Sequence, residues 1–276
     1  MPVIRLIATD LDDTLLNASG DVNPRVLEAL KAVMARGCGV TLSSGRMLEA
    51  MERLAAHIGV NAPMLLYNGA MAYDFARQKT LFADQIPYET ALQIARLCED
   101  AGYYIQAYPG KGYYCPRITD ATRRYAASIR VEPICVNRPI AEWMQENPSG
   151  MQKLLLVDTV EGADRAQDML RQAFGDAATF AKSRPHYVEV SPKGVDKGRA
   201  LERLYRLLGL GRQEVMVFGD GQNDVTMIAA AGTGVCMENG CPQAKAAATR
   251  IAPSNLEDGV AVVLEEYMEK GKIAAL

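Results

Sequence analysis

Two aspartates, Asp10 and Asp12, stand two positions apart directly after a short apolar stretch at residues 3–8. Such a stretch is too short to cross a membrane and predicts a buried strand. Because ligands of open α/β sheets bind at the carboxyl ends of the strands, both carboxylates would enter that crevice. There a carboxylate can act as a nucleophile, a proton carrier or a metal ligand. The competing interpretation is an acidic turn that is exposed to solvent.

Three further segments carry polar side chains at comparable places. A second apolar run, residues 40–42, leads to a hydroxyl, a glycine and a cation, which are Ser44, Gly45 and Arg46. Lys197 opens a helical pattern, and a third buried-strand pattern at 215–218 precedes a polar cluster of Asp220, Asn223 and Asp224. Three predicted strands thus end in Asp, in Ser and in an Asp/Asn/Asp cluster, and a lysine begins a helix. This pattern indicates one composite site at the edge of a sheet.

These four segments, in this order, resemble the haloacid dehalogenase-like hydrolase superfamily, and most closely its Cof-type sugar-phosphate phosphatases. The resemblance extends from residue 6 to about residue 260. It implies a Mg²⁺-dependent phosphatase that hydrolyses small phosphorylated metabolites, either sugar phosphates or phosphorylated cofactors, through an aspartyl-phosphate. Two alternatives remain open. A phosphotransferase or mutase of the same superfamily would share all four motifs, and a catalytically silent ligand-binding module could retain the fold.

The resemblance also implies a role for each acidic residue. Asp10 would be the nucleophile, and Asp12 would protonate the leaving group and then activate water. Asp220 would complete the Mg²⁺ site together with the Asp10 carboxylate and the Asp12 main-chain carbonyl, an all-oxygen set that suits this ion. Asn223 and Asp224 would orient the metal-bound groups from outside the direct ligand set.

Substrate binding is assigned in the same way. Ser44 would donate to a phosphoryl oxygen, and Lys197 would supply a fixed positive charge and keep Asp10 ionised. The other substrate-binding residues implied by the resemblance are Gly45, Arg46, Asn68, Gly69 and Asn223. Asn-Gly is also the strongest short signal for a hairpin turn, and both interpretations of residues 68–69 can hold together. Position 13 is Asp where many relatives have Gly, and Ser44 stands where Thr is commoner.

Alternating strand and helix patterns predict an α/β fold, with a doubly wound, parallel-sheet, Rossmann-like core. The segment between the second and third motifs has alternating units of its own and resembles the inserted α/β cap domain of Cof-type enzymes. We therefore predict a core domain at 1–84 and 185–276 and a cap at 85–184. Polar residues of the cap would recognise the leaving group, although its tyrosines could equally pack the cap sheet.

Size and charge limit the remaining functional classes. The chain has 276 residues, enough for two domains, and its net charge of −3 provides no electrostatic footprint for nucleic acid. No apolar run of 18 residues and no signal peptide is present, so we expect a cytoplasmic protein with no membrane partner. Its partner would be a small phosphorylated substrate, and it would be a monomer or a small homo-oligomer. Six cysteines without a CxxC pair are expected to be reduced, and two histidines argue against a multi-histidine metal site.

Overall fold

The computed structural model describes residues 2–276, apart from the side chain of Ser183. Within this part of the chain the strands are β1 (Leu6–Thr9), β2 (Gly39–Leu42), β3 (Met64–Leu66), β4 (Met71–Asp74), β5 (Lys79–Ala83), β6 (Tyr104–Tyr108), β7 (Tyr114–Cys115), β8 (Ile134–Cys135), β9 (Lys153–Val157), β10 (Ala178–Arg184), β11 (Tyr187–Pro192), β12 (Val215–Gly219), β13 (Thr233–Met237) and β14 (Arg250–Ala252).

The α-helices of the same residues connect these strands. They are α1 (Pro24–Ala35), α2 (Leu48–Ile58), α3 (Tyr88–Asp100), α4 (Asp120–Ile129), α5 (Ile140–Glu146), α6 (Val160–Phe174), α7 (Lys197–Leu207), α8 (Val225–Ala230), α9 (Pro242–Ala247) and α10 (Gly259–Glu269). None of the helices between residues 2 and 276 is both long enough and apolar enough to span a bilayer. All six cysteines are free thiols.

The chain forms two compact units, and the first contains residues 1–45, 52–82 and 196–276. Its main sheet has five parallel strands in the order β14-β13-β12-β1-β2, and a smaller sheet has the order β3-β4-β5. All residues of β1, β2, β12 and β13 are buried, as expected for a parallel sheet that is covered on both faces. The predicted α/β class with a parallel-sheet core is confirmed.

Helix α1 shows how the sequence shapes this layer. Val26, Leu30 and Val33 recur on one stripe and are buried, and Pro24 occupies the first helical position, where its missing N–H has no cost. Asn23 stands at the N-cap position, but its side chain does not cap the helix. The Asn23 amide instead donates to Asp258 Oδ1 at 2.8 Å and thereby ties the start of α1 to the start of α10.

The second unit contains residues 46–51 and 83–195. Its six-stranded sheet has the order β10-β11-β9-β6-β7-β8 and is antiparallel except for the β7–β8 pair. Strand β11 pairs with both β9 and β10, so this sheet continues beyond residue 184. The domain limits at 85 and 184 stay a prediction. Two tyrosines of this unit, Tyr108 and Tyr113, are buried and stacked at 5.3 Å, which is a packing role.

The segment after β12 forms a 3₁₀ turn at Gln222–Asp224, which is followed by the short helix α8. The turn is tight because the Asp224 side chain bonds back to the backbone at its start. Residues 68–69 form the predicted hairpin turn, since β3 and β4 pair antiparallel on either side of them.

Candidate active site

Three parallel strands of the first unit end at the same edge of the sheet. Thr9, Leu42 and Phe218 are register partners at the ends of β1, β2 and β12. The next residue after β1 is Asp10, whose backbone N–H donates to Phe218 O at 2.9 Å. The register therefore brings the first, second and fourth motifs of the sequence to one crevice, at the carboxyl ends of the strands, where α/β folds bind ligands.

Lys197 lies between two of the predicted carboxylates. Its ammonium nitrogen Nζ is 2.5 Å from Asp10 Oδ1 and 2.6 Å from Asp224 Oδ1, and its side chain is fully buried. Burial alone would lower the pKa of this ammonium, but the two carboxylates raise it above its usual value. Lys197 is therefore a permanently charged centre that restricts the rotation of Asp10.

The position of Lys197 depends on the start of α7. Asp196 is the N-cap residue, and its side chain accepts from the backbone N–H of Arg199 at 2.9 Å. A Cβ on Gly198 would lie only 2.4 Å from the carbonyl oxygen of Thr226, so only glycine allows α7 to approach α8 this closely. The close approach places Lys197 beside Asp224, and the sequence reasoning assigned no role to Gly198.

Asp224 also holds the loop that follows β12. Its Oδ2 accepts from the backbone N–H groups of Asp220 at 3.1 Å and Gly221 at 2.9 Å. A Cβ on Gly219 would lie 2.6 Å from the Cβ of Asp224, so the turn can fold back only over a glycine. Because both carboxylate oxygens of Asp224 already accept hydrogen bonds, its role in this structure is to fix Lys197 and the Asp220 loop.

Three carboxylates meet at this point in a way that suits a divalent cation. Oxygens of Asp10, Asp220 and Asp224 lie within 4.8 Å of one another. One ammonium among three carboxylates leaves two negative charges in a largely buried cluster, which is unfavourable without a cation. Burial raises the pKa of Asp10 to about 8 against the opposing charge of Lys197, and burial raises the pKa of Asp220 to about 6. The donor set is all oxygen, as Mg²⁺ requires.

Thr14, to which the sequence reasoning gave no role, contacts this cluster directly. Its hydroxyl donates to Asp220 Oδ1 at 2.5 Å, and the residue is 1% exposed. The sequence shows that a threonine stands four positions after Asp10, but it does not show that its hydroxyl bonds to Asp220, which is 206 positions away. Asp12, by contrast, is exposed beside the cluster in the loop after β1.

The residues predicted to bind substrate form a second group at the same edge. Ser44 is buried, its backbone N–H donates to Leu65 O at 2.9 Å, and its main-chain carbonyl accepts from the backbone N–H of Asn68 at 3.0 Å. A Cβ on Gly45 would lie 3.0 Å from the Asn68 amide, so this glycine leaves room for that side chain. The Asn223 amide donates to Asn68 Oδ1 at 3.2 Å, which joins the turn at residues 68–69 to the fourth motif.

Two residues near the motifs have a positive φ, the backbone conformation that favours glycine. Gly69 has a φ of 100°, and a Cβ there would lie 2.6 Å from Ala200 and 2.7 Å from Asp196 O, so it packs against the start of α7. Asp13 has a φ of 61°, a conformation that glycine adopts freely and that Asp tolerates better than most residues. Arg46 belongs to the second unit, and its contact with a phosphate stays a prediction, as do the substrate roles of Ser44, Gly45, Asn68 and Gly69.

Comparison with known proteins identifies the family. The model of the haloacid dehalogenase-like hydrolase family matches residues 7–264, and the chain belongs to this family. The solved structure of TM0651 from Thermotoga maritima is 31% identical, covers 95% of this chain and 97% of its own, and has a TM-score of 0.87. A haloacid dehalogenase-like hydrolase structure from Bacteroides thetaiotaomicron is 26% identical, covers 95% and 99%, and has a TM-score of 0.89.

A relative with a named activity is similar over most of its length. The HMP-PP phosphatase of Yersinia pestis is 28% identical over 241 residues, which are 87% of this chain and 86% of that protein. The family predicted from the four motifs is thus confirmed, and with it the hydrolase class of the enzyme.

Proposed function

We propose that this hydrolase is a Mg²⁺-dependent phosphatase that acts on small phosphorylated metabolites, sugar phosphates or phosphorylated cofactors, through an aspartyl-phosphate on Asp10. The observation that carries the proposal is the buried cluster in which Lys197 bridges Asp10 and Asp224 beside Asp220. A similar protein bears the name of a phosphatase, which supports this substrate class. We retain from the sequence a cap at 85–184 that selects the leaving group, a cytoplasmic location and a monomer or small homo-oligomer.

The side chains would divide the reaction between them. An oxygen of Asp10 attacks the phosphorus atom, the P–O bond to the leaving alcohol breaks, and Asp12 gives that alkoxide its proton. Asp12 then takes a proton from water, which attacks the aspartyl-phosphate, so that inorganic phosphate leaves and Asp10 is regenerated. Ser44 and Lys197 hold the phosphoryl oxygens. The exposure of Asp12 suits a residue that exchanges protons with a leaving group and with water.

We assign the metal ligands by asking which oxygen atoms of the cluster are not already occupied by hydrogen-bond donors. We assign Mg²⁺ to Asp10, Asp220 and the main-chain carbonyl of Asp12, with Asp224 and Asn223 outside the direct ligand set. Asp224 is placed outside because Lys197 and two backbone N–H groups already occupy its carboxylate. When bound, the ion would neutralise charge on the transferring phosphoryl group.

The reaction class is tested by phosphate release from p-nitrophenyl phosphate and from a panel of sugar, nucleotide and cofactor phosphates. We expect release with Mg²⁺ and its loss in EDTA, restored by an excess of Mg²⁺. Transfer of phosphate between sugars without net release would instead indicate a mutase. Mg²⁺-dependent ligand binding with no turnover of any compound would indicate a silent module, and either result would contradict the proposal.

Replacing Asp12 by asparagine is expected to slow turnover of an alkyl phosphate by about 10²–10⁴-fold, because a poor leaving group needs a proton donor. With p-nitrophenyl phosphate the leaving group needs little help, but water is no longer activated. Rapid mixing should therefore give a burst of nitrophenolate, about one equivalent per site, followed by slow turnover. Full activity of the variant on an alkyl phosphate would show that Asp12 is not the acid.

A further inference from the structure

We propose that Thr14 is a positioning residue for the metal site, whose hydroxyl sets the orientation of the Asp220 carboxylate that receives the cation. The inference rests on the proposed Mg²⁺ dependence and assigns a role to a residue outside the predicted set. Its basis is the bond from Thr14 Oγ1 to Asp220 Oδ1, which at 2.5 Å lies at the short end of the range for a hydroxyl bonded to a carboxylate.

The backbone of Asp220 is already fixed without Thr14. Its N–H donates to Asp224 Oδ2 at 3.1 Å, and its carbonyl accepts from the N–H of Cys241 at 2.8 Å. These bonds hold the main chain at the end of β12 but leave the side-chain torsions of Asp220 free. Thr14 donates a hydrogen bond to the Asp220 carboxylate, so this hydroxyl restricts those torsions.

Thr14 is itself held rigidly. The carbonyl of Leu11 accepts from the N–H groups of Thr14, Leu15 and Leu16 at 3.3, 2.9 and 2.9 Å, which closes a tight turn. The three leucines are at most 3% exposed and anchor the turn in the core. The hydroxyl therefore reaches Asp220 from a support that moves little, as an effective outer-shell partner of a metal ligand requires.

A near-isosteric substitution separates the hydroxyl from the shape of the side chain. Valine at position 14 would fill the same buried space but would not donate, whereas serine would donate without the methyl group. Loss of an outer-shell partner typically lowers metal affinity by about 10–100-fold. We expect the Kd for Mg²⁺ of Thr14→Val to rise by about this factor, and that of Thr14→Ser to stay close to wild type.

Thr41→Val is a matched control in the same unit. Thr41 is fully buried, and its hydroxyl donates to Pro63 O at 2.6 Å, so the substitution also removes a buried hydroxyl hydrogen bond. That acceptor is a carbonyl rather than a carboxylate of the site. A general loss of stability would affect both valine variants, whereas a defect in metal positioning would affect Thr14→Val alone.

The test is calorimetric titration of each purified full-length protein with MgCl₂ in the absence of substrate, after circular dichroism has verified the fold. The expected result is weak binding by Thr14→Val, near-normal binding by Thr14→Ser and Thr41→Val, and phosphatase activity of Thr14→Val that recovers at high Mg²⁺. Wild-type affinity in Thr14→Val, or equal weakening in Thr14→Ser, would overturn the role of the hydroxyl. If the wild-type protein bound no Mg²⁺, the proposed metal dependence would fall first, and this inference with it.

Discussion

Asp10→Asn is expected to lower turnover by about 10⁴-fold or more while the protein stays folded. An amide oxygen is a weak nucleophile and cannot form the acyl phosphate on which the proposed reaction depends. The substitution is nearly isosteric. In the wild-type structure Lys197 Nζ lies 2.5 Å from Asp10 Oδ1, and an amide oxygen at that place can still accept its hydrogen bond. The loss should therefore appear in turnover rather than in the unfolding temperature.

The covalent step can be observed separately. Wild-type protein that is acid-quenched during turnover should carry one phosphoryl group by mass spectrometry, and hydroxylamine should remove it, as it does from acyl phosphates. Asp13→Asn is the matched control, because Asp13 is exposed and Asn also tolerates its positive φ. Near-normal turnover by Asp10→Asn, or a phosphoryl group on that variant, would exclude Asp10 as the nucleophile.

Lys197→Met is expected to reduce both turnover and stability. The ammonium is fully buried between Asp10 and Asp224, and its removal leaves two carboxylates facing each other without a cation. Breaking a buried ion pair by removing one partner typically costs about 3–5 kcal/mol. We expect a loss of this size in the free energy of unfolding at pH 9 in EDTA.

The pH dependence of that loss identifies its cause. Burial raises the pKa of Asp10 to about 8 even beside Lys197, and loss of that ammonium raises it further. The folded variant therefore binds more protons than the unfolded chain and gains stability as the pH falls. The deficit relative to wild type should therefore shrink from pH 9 to pH 5. Denaturant unfolding across this range is the measurement.

A second substitution tests the same explanation. Lys197→Met combined with Asp224→Asn removes one of the two stranded charges and should recover part of the stability, although not the activity. A deficit that is independent of pH, or a double variant no more stable than the single one, would indicate that lost packing rather than lost charge destabilises the protein.

The strand-end motifs were predictable because each is local. An apolar run followed within a few residues by Asp10, by Ser44 or by Asp220 indicates a buried strand with its polar end at the sheet edge. The sequence patterns did not predict strands β13 and β14, because neither segment carries a clear local signal. The stretch Thr233–Met237 is fully buried but contains a glycine and no alternation, and Arg250–Ala252 is only three residues long. These two strands are stabilised by the pairing of β13 with β12 and of β14 with β13, rather than by the strand propensity of their own residues.

By itself, then, the sequence determined the class of the fold, the family, and the residue types that could perform phosphoryl chemistry, since these depend on order and local spacing. Only the tertiary structure decided which groups meet. Lys197 reaches Asp10 across 187 positions and Thr14 reaches Asp220 across 206, through a strand register and a glycine contact between helices. No local pattern encodes a distance between residues so far apart, because that distance is set by how parallel strands and their helices pack.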